Sequence, residues 1–333
     1  MFTIIRKYDD SVIVFDSVDG SKEIISHSVI NKLDDIIQVL SIEEQKIFNK
    51  MMGIDTVIFD VDDDYDTARK KIQTETSKNP LIVYNFSDIS DMRLLFSGCD
   101  SLSIDLRNFN TSKVCNMFSM FSHCNSRKLY LDGFDTSNVV SMEGMFMACK
   151  AEVLDLRSFN TSNVVNMDYM FSECKASEMN LSSFDTSNVI TMVGMFANCS
   201  SLLKELDLSG FNTSKVKDMS NMFYFSTIKH INLEGFDTSK VNNMKSMFRQ
   251  CCIGDSLLDL SCFDTSYVES MDSMFYACTV DEINIGNFNI RRVSNMLDMF
   301  FSCNARILCS EWFKDYIDDK LVCLRKENAV FSE

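Results

Sequence analysis

From residue 92 to residue 303 the apolar positions of this chain recur in a fixed order. Two aliphatic residues flank one outward residue, as in Leu154-Asp155-Leu156, and a Phe follows three residues later at Phe159. An Asn-Thr-Ser or Asp-Thr-Ser tripeptide comes next, and then Val164, Met167, Met170, Phe171 and Cys174. The later Phe falls at Phe96, Phe121, Phe146, Phe171, Phe196, Phe223, Phe248, Phe275 and Phe300, so the interval is 25 residues except for two intervals of 27. A sustained period in the twenties is the signature of a solenoid, in which each unit buries its apolar face only against its neighbours.

Each unit divides by its periodicity. The alternating aliphatic pair predicts a short strand with one buried face. The Asx-Thr-Ser tripeptide predicts a turn whose hydroxyl caps a helix N-terminus. The Val, Met, Met-Phe and Cys positions, three and four apart, predict one face of a helix of about three turns. Strand, turn and helix repeated in one direction give parallel strands joined by right-handed crossovers. The expected class is therefore α/β: a right-handed solenoid of parallel strands and short helices. The extra residues after Cys199 and Cys251 that make the 27-residue intervals are expected to lengthen loops without disturbing the stack.

Residues 1–78 lack the repeat and predict a small α+β N-terminal cap domain. Strands are expected at 3–5, 12–15 and 56–59, and helices at 24–40, 41–52 and 66–74. The second helix opens on a capping box from Ser41 to Glu44. The repeat solenoid occupies 79–313, with a degenerate first unit bearing Tyr84 in the Phe position and a degenerate last unit in which Trp312 shields the open end. Residues 314–333 form a C-terminal capping tail.

Composition narrows the chemistry. The net charge of −16 and pI near 4.6 oppose nucleic-acid binding unless the few bases gather on one face. No apolar run reaches 18 residues, so no membrane span is expected. Tyr8-Asp9-Asp10 interrupts any signal-like apolar stretch, so no secretory signal is expected. Eight of the 13 cysteines sit three residues after the repeat Phe, where the sixth copy has Ser226. A position that accepts Cys or Ser fits a small buried side chain better than a disulfide or a metal ligand. The Met stripe reads as core rather than as a cofactor box. No cofactor is expected.

Candidate function therefore moves to the outward strand positions: Asp105, Tyr130, Asp155, Asn180, Asp207, Asn232, Asp259 and Asn284, with Arg107 and Arg157 beside the first and third. No two Asp are adjacent in this column, and carboxylates stacked at ~4.8 Å would repel one another. The turn column Asn110, Asp135, Asn160, Asp185, Asn212, Asp237, Asp264 and Asn289 runs in nearly the opposite alternation. Two readings stand at this point: a solvated face tuned against self-repulsion, and a stripe that binds a partner protein. No catalytic residue and no metal ligand is assigned. Asp60-Val61-Asp62 after an apolar strand resembles the haloacid-dehalogenase nucleophile motif, and a phosphatase-like enzyme is carried as a third reading. Asp64 replaces the Thr or Val expected there, and no further αβ domain follows, so the stretch reads as a solvated acidic turn after an edge strand. His27, His123 and His230 are scattered and form no triad pattern.

The consensus Leu-x-Leu-x-x-Phe-(Asp/Asn)-Thr-Ser-x-Val-x-x-Met-x-x-Met-Phe-x-x-Cys, complete at 154–174, resembles the BspA-like leucine-rich-repeat surface proteins, which use 25-residue repeats. The likeness covers about 81–313. It implies a leucine-rich-repeat-like solenoid and a non-catalytic role in binding or adhesion, in host-associated microbes or large DNA viruses. With no signal peptide visible, an intracellular or virus-encoded member of such a family is expected, and a surface adhesin exported without a recognisable signal is the alternative.

Overall fold

The computed structural model describes residues 2–8, 11–16, 22–26, 46, 49–50, 53–75, 77–107, 109–199, 205–319 and 330–332. At the N-terminus β1 (Phe2–Tyr8), β2 (Ser11–Asp16) and β3 (Lys22–Ser26) form an antiparallel sheet in that order. The first two strands occupy the expected places. The third replaces the start of the helix expected at 24–40: Ile24 and Ile25 pair with Ile13 and Val12 instead. Adjacent β-branched residues lose χ1 freedom in a helix and suit a pleated sheet. The rest of that expected helix lies outside the described residues, as does most of the one at 41–52, where 46, 49 and 50 are helical.

The solenoid begins before the first recognisable repeat. β4 (Asp55–Phe59) leads into α1 (Tyr65–Glu75) and then β5 (Leu81–Asn85), which pairs with β4 in parallel. β6 (Ser103–Asp105), β7 (Lys128–Tyr130), β8 (Val153–Asp155) and β9 (Glu178–Asn180) follow on successive coils and complete a six-stranded sheet. The sheet thus runs across residue 78 without interruption.

Further along, β10 (Leu206–Asp207), β11 (Thr227–Ile228), β12 (Ile231–Asn232) and β13 (Cys252–Ile253) are two-residue strands, with β10 paired to β12 and β11 to β13. β14 (Leu257–Asp259), β15 (Glu282–Asn284) and β16 (Arg306–Leu308) form a last sheet. After α2 (Glu311–Asp319), β17 (Val330–Ser332) joins its edge.

The Val-x-x-Met-x-x-Met-Phe-x-x-Cys segments are not helices. They are successive turns with two left-handed residues per coil, such as Ser119 (φ 51°) and His123 (φ 53°), or Tyr169 (φ 55°) and Glu173 (φ 58°). Alternate amides serve two purposes. Ser119, Phe121 and His123 donate to Glu143, Met145 and Met147 on the next coil at 2.7 to 2.8 Å, whereas Met120, Ser122 and Cys124 donate three residues back within their own coil. A single non-glycine residue in the left-handed region costs roughly 1–2 kcal/mol, and the inter-coil ladder offsets it. Spacings of three satisfy this run of turns as well as they satisfy a helix, and hence the period did not distinguish them.

The expected helix-capping role of the repeat Thr changes accordingly. Thr136 is fully buried, donates its hydroxyl to the Asn160 carbonyl at 2.8 Å and accepts the Asn160 amide at 2.8 Å. Thr111, Thr161, Thr186, Thr213, Thr238 and Thr265 make the same donation to the coil that follows. The hydroxyl staples coils together; there is no helix to cap.

Inside, the later Phe residues stack in one column from Phe96 to Phe300 with ring centroids 5.2 to 5.9 Å apart. The Met and Val positions from Val114 to Met274 are completely buried. Cys99, Cys124, Cys149, Cys174, Cys199, Cys251, Cys278 and Cys303 are free, buried thiols. Burial pushes Cys174 up to about 11, and it raises Cys199, Cys251 and Cys278 further. A thiol held protonated is a poor nucleophile and a poor metal ligand.

Candidate functional site: the outward strand face

In the strand column every outward residue except Tyr130 has the same local task. Its side-chain oxygen accepts the amide two residues on and closes the turn that ends the strand, an Asx-turn. Asp105 receives the Arg107 amide, Asp155 that of Arg157, Asn180 that of Ser182 and Asp207 that of Ser209, at 3.0 to 3.3 Å. Asn232, Asp259 and Asn284 bind Glu234, Ser261 and Gly286 in the same way. The turn column repeats the device: Asn110, Asp135, Asn160 and Asp185 each accept the amide of the following Ser. The Asn/Asp alternation in both columns is therefore a choice between two residues that close the same turn. Asn carries no charge to the next rung, and Asn284 uses its amide to bridge to Asp259 at 3.0 Å.

Two places on this face carry more than turn closure. On the first coils the Arg107 guanidinium grips Asp105, with Nη2 to Oδ2 at 2.6 Å, and its Cζ lies 5.5 Å from the ring centre of Tyr130 on the next coil. Tyr130 is 39% exposed. Arg157 repeats the grip on Asp155 at 2.5 Å. That hydrogen bond holds the Asp155 carboxyl below its ordinary range, and it raises Arg157. Asp207 is lowered too, by the amide and hydroxyl of Ser209.

The second place is a cleft of about 820 Å³ between β9 and β10. Leu154, Met179, Leu181, Phe184, Leu206 and Phe211 line it, and Asp155, Arg157, Glu178, Asn180, Glu205 and Asp207 surround them. Here the expectation that the 27-residue units leave the stack undisturbed fails. On the turn side the coils stay joined, with the Phe196 amide donating to Met222 at 2.9 Å and the Thr186 hydroxyl to Asn212 at 3.0 Å. On the strand side, among the described residues, the ladder is interrupted between β9 and β10 and again between β12 and β14. Met179 and Ile231, the strand residues at the two interruptions, are half-buried, whereas Ile104, Leu154 and Ile283 in the same position are buried. The extra residues after Cys199 and Cys251 were the signal for this opening.

The ten candidate residues consequently do not form one continuous ladder. Asp105, Arg107, Tyr130, Asp155, Arg157 and Asn180 lie together on the six-stranded sheet. Asp207 and Asn232 belong to the β10–β12 pair, and Asp259 and Asn284 to the last sheet.

The acidic stretch after β4 is organised by Lys71 and by α1. Lys71 Nζ lies 2.9 Å from Asp60 and 2.6 Å from Asp63, and Asp63 accepts the Asp60 amide at 2.8 Å. Asp64 caps α1 by accepting the Thr67 amide at 2.8 Å, and those Thr67 bonds lower its carboxyl. Asp62 stands on the rim of a shallow acidic hollow with Asp88 and Asp91.

A stack of coils that invests its inward side chains in packing and leaves an open polar strand face defines the class: a repeat solenoid. Residues 66–176, 151–253 and 203–312 each match the family described as "Mycoplasma protein of unknown function, DUF285", and the chain belongs to that family. No curated protein and no solved structure matches the chain. No helix among the described residues is long and apolar enough to cross a membrane.

Proposed function

We propose that the chain is a non-catalytic, BspA-like interaction scaffold that holds a partner protein along its strand face, at the Tyr130–Arg157 region and the adjoining cleft. The observation that carries this reading is the pre-set geometry of Arg107, Tyr130 and Arg157. An exposed ring lies beside the Arg107 guanidinium, which Asp105 already locks, and Arg157, locked by Asp155, follows on the next coil. Tyr and Arg are enriched at interface hot spots, and an Arg already held by a carboxylate has less freedom left to lose on binding. The neighbouring cleft has the size of a ligand-accepting cavity, with apolar walls and a polar rim. The Lys71 pairs with Asp60 and Asp63 give the acidic turn a structural task, which favours the scaffold over the phosphatase-like reading.

The test is a partner recovered from the native cell, identified by mass spectrometry, purified, and titrated against Tyr130→Ala/Arg157→Ala. Both side chains are exposed, so the melting temperature should stay near that of the parent while affinity falls at least about tenfold, the equivalent of ~1.4 kcal/mol. Unchanged affinity would remove the strand face from the proposal. Mg²⁺-dependent phosphatase turnover that is lost in Asp60→Asn would replace the scaffold with an enzyme.

A further inference from the structure

The strand ladder breaks twice, and the chain treats the two breaks differently. In an unbroken pair the amide of the first inward residue crosses to the next coil, as Leu206 donates to the His230 carbonyl at 2.8 Å. At the second break the equivalent Ile231 amide is taken up by a side chain, the Asp255 carboxylate, at 3.0 Å. Asp255 stands in the loop lengthened after Cys251, and its other oxygen lies 2.7 Å from His230 Nδ1. At the first break nothing takes that part. Among the described residues the Met179 amide has no acceptor on the next coil, and β9 is the edge strand of its sheet.

An open edge presents main-chain donors and acceptors to any strand that can approach, and the side chains around this one restrict which strand that is. Met179, Leu181 and Phe184 give it an apolar wall. Glu178 and Glu205, each just before the first inward residue of its strand, are exposed and make no salt bridge among the described residues. Asp155 and Asp207 add negative charge to the rim from their Asx-turns, and Arg157, the cation in the lining, is already held by Asp155. Elsewhere the chain shows how a neighbouring strand satisfies a Glu at that position. Arg306 is paired in register with Glu282 and reaches its carboxylate at 3.2 Å, while the next residue, Ile307, pairs with Ile283 and is buried.

We propose that the cleft takes an extended segment of the partner as one more parallel strand on the β9 edge. The segment carries an arginine or lysine beside Glu178 and Glu205, followed by an apolar residue turned towards Met179, Leu181 and Phe184. This rests on the strand face being the partner surface, and it adds the chemistry that the partner must bring. In the register of the solenoid's own strands, the Met179 amide donates to the carbonyl of the guest cation. The Met179 carbonyl accepts the amide two residues further along the guest. Main-chain bonds supply affinity in this mode, and alternate side chains supply selectivity. A guest with acidic outward residues meets like charge at the rim and is rejected.

Fluorescence anisotropy with the full chain at ~0.15 M salt tests the assignment. The probes are dye-labelled, C-terminally amidated peptides Thr-Arg-X-Asn-X-Thr, in which X is Ile, Leu or Phe. At least one should saturate with a Kd below ~1 mM. Exchanging its Arg for Glu, or methylating the Asn amide that pairs with Met179, should each weaken binding at least about tenfold. Glu178→Arg/Glu205→Arg should do the same without changing the melting temperature, since both side chains are exposed. Tyr130→Ala, outside the cleft, should bind like the parent. Amide exchange should slow at Met179 on peptide binding and stay unchanged at Ile231, which Asp255 already holds. Failure of every peptide to saturate overturns the proposal. Binding that ignores the N-methyl group or the charge reversal also overturns it, because that is surface attraction and not strand addition. Peptides that fail leave the partner titration of Tyr130→Ala/Arg157→Ala intact, and a partner indifferent to that variant leaves the peptide result standing.

Discussion

Replacing Gly194 separates the turn geometry from a helix by the sign of its effect. In a helix interior, Gly→Ala stabilises by roughly 0.5–1 kcal/mol. In the structure Gly194 has φ +59°, and an added Cβ would overlap Cε1 of the Tyr169 ring on the preceding coil. The left-handed backbone costs roughly 1–2 kcal/mol for any residue with a Cβ. Displacing the Tyr169 ring, which is 39% exposed, from its rotamer adds roughly 0.5–1.5 kcal/mol. Gly194→Ala should therefore destabilise by about 1.5–3.5 kcal/mol. Gly98 supplies the comparison: it has φ +71° but nothing within 4 Å of its added Cβ, so Gly98→Ala should lose only the backbone part. In a Tyr169→Ala background the Gly194 penalty should shrink to the same size. Urea unfolding followed by circular dichroism, read as a double-mutant cycle, gives all four values. A stabilising Gly194→Ala refutes the turn geometry, and one no worse than Gly98→Ala refutes the contact with Tyr169.

Thr136→Val keeps the shape but removes both bonds to Asn160, and should cost about 1–3 kcal/mol in the same assay, while Thr136→Ser stays close to the parent. Asp185 is held low by its Ser187 bonds. A depressed folded value means that stability is present above the unfolded carboxylate range near ~3.9 and is lost as pH falls through the folded value. Asp185→Asn keeps the Asx-turn without a titrating group, so its acid-unfolding limb should be shallower than that of the parent. Among the described cysteines, alkylation of the native protein followed by peptide mapping should modify the exposed Cys115, Cys252 and Cys262 and spare the buried column from Cys124 to Cys303; rapid labelling of Cys149 or Cys174 would show that the stack opens.

The repeat, its parallel strands and its core were legible because solenoid burial is strictly periodic. Leu154, Phe159, Val164, Met167, Met170, Phe171 and Cys174 all point inward, as their spacing required. The conformation between them was not legible. A run of three-residue turns and a helix bury the same positions, and the deciding feature, a left-handed residue such as Ser119 or Tyr169, carries no residue-type signal when Ser, Tyr, Asn and Gly all occupy it. The task of Thr136 was hidden for a related reason, since a hydroxyl before an apolar run is also what an N-cap looks like. On the strand face the alternation of Asp155 and Asn180 was visible, but not that both close an Asx-turn, because that bond runs to the backbone. The cleft beside Met179 was marked only by an interval that grew from 25 to 27 residues.

The central claim is that recognition belongs to the strand face and stacking to the turn segments. Amide hydrogen exchange of the chain, with and without its purified partner, tests it most directly. Binding should slow exchange at Leu106, Leu131 and Leu156 and around Asn180, and leave the turn amides from Met117 to Cys124 and from Met167 to Cys174 unchanged. Protection confined to those turn segments, with the strand amides unaffected, would contradict the account.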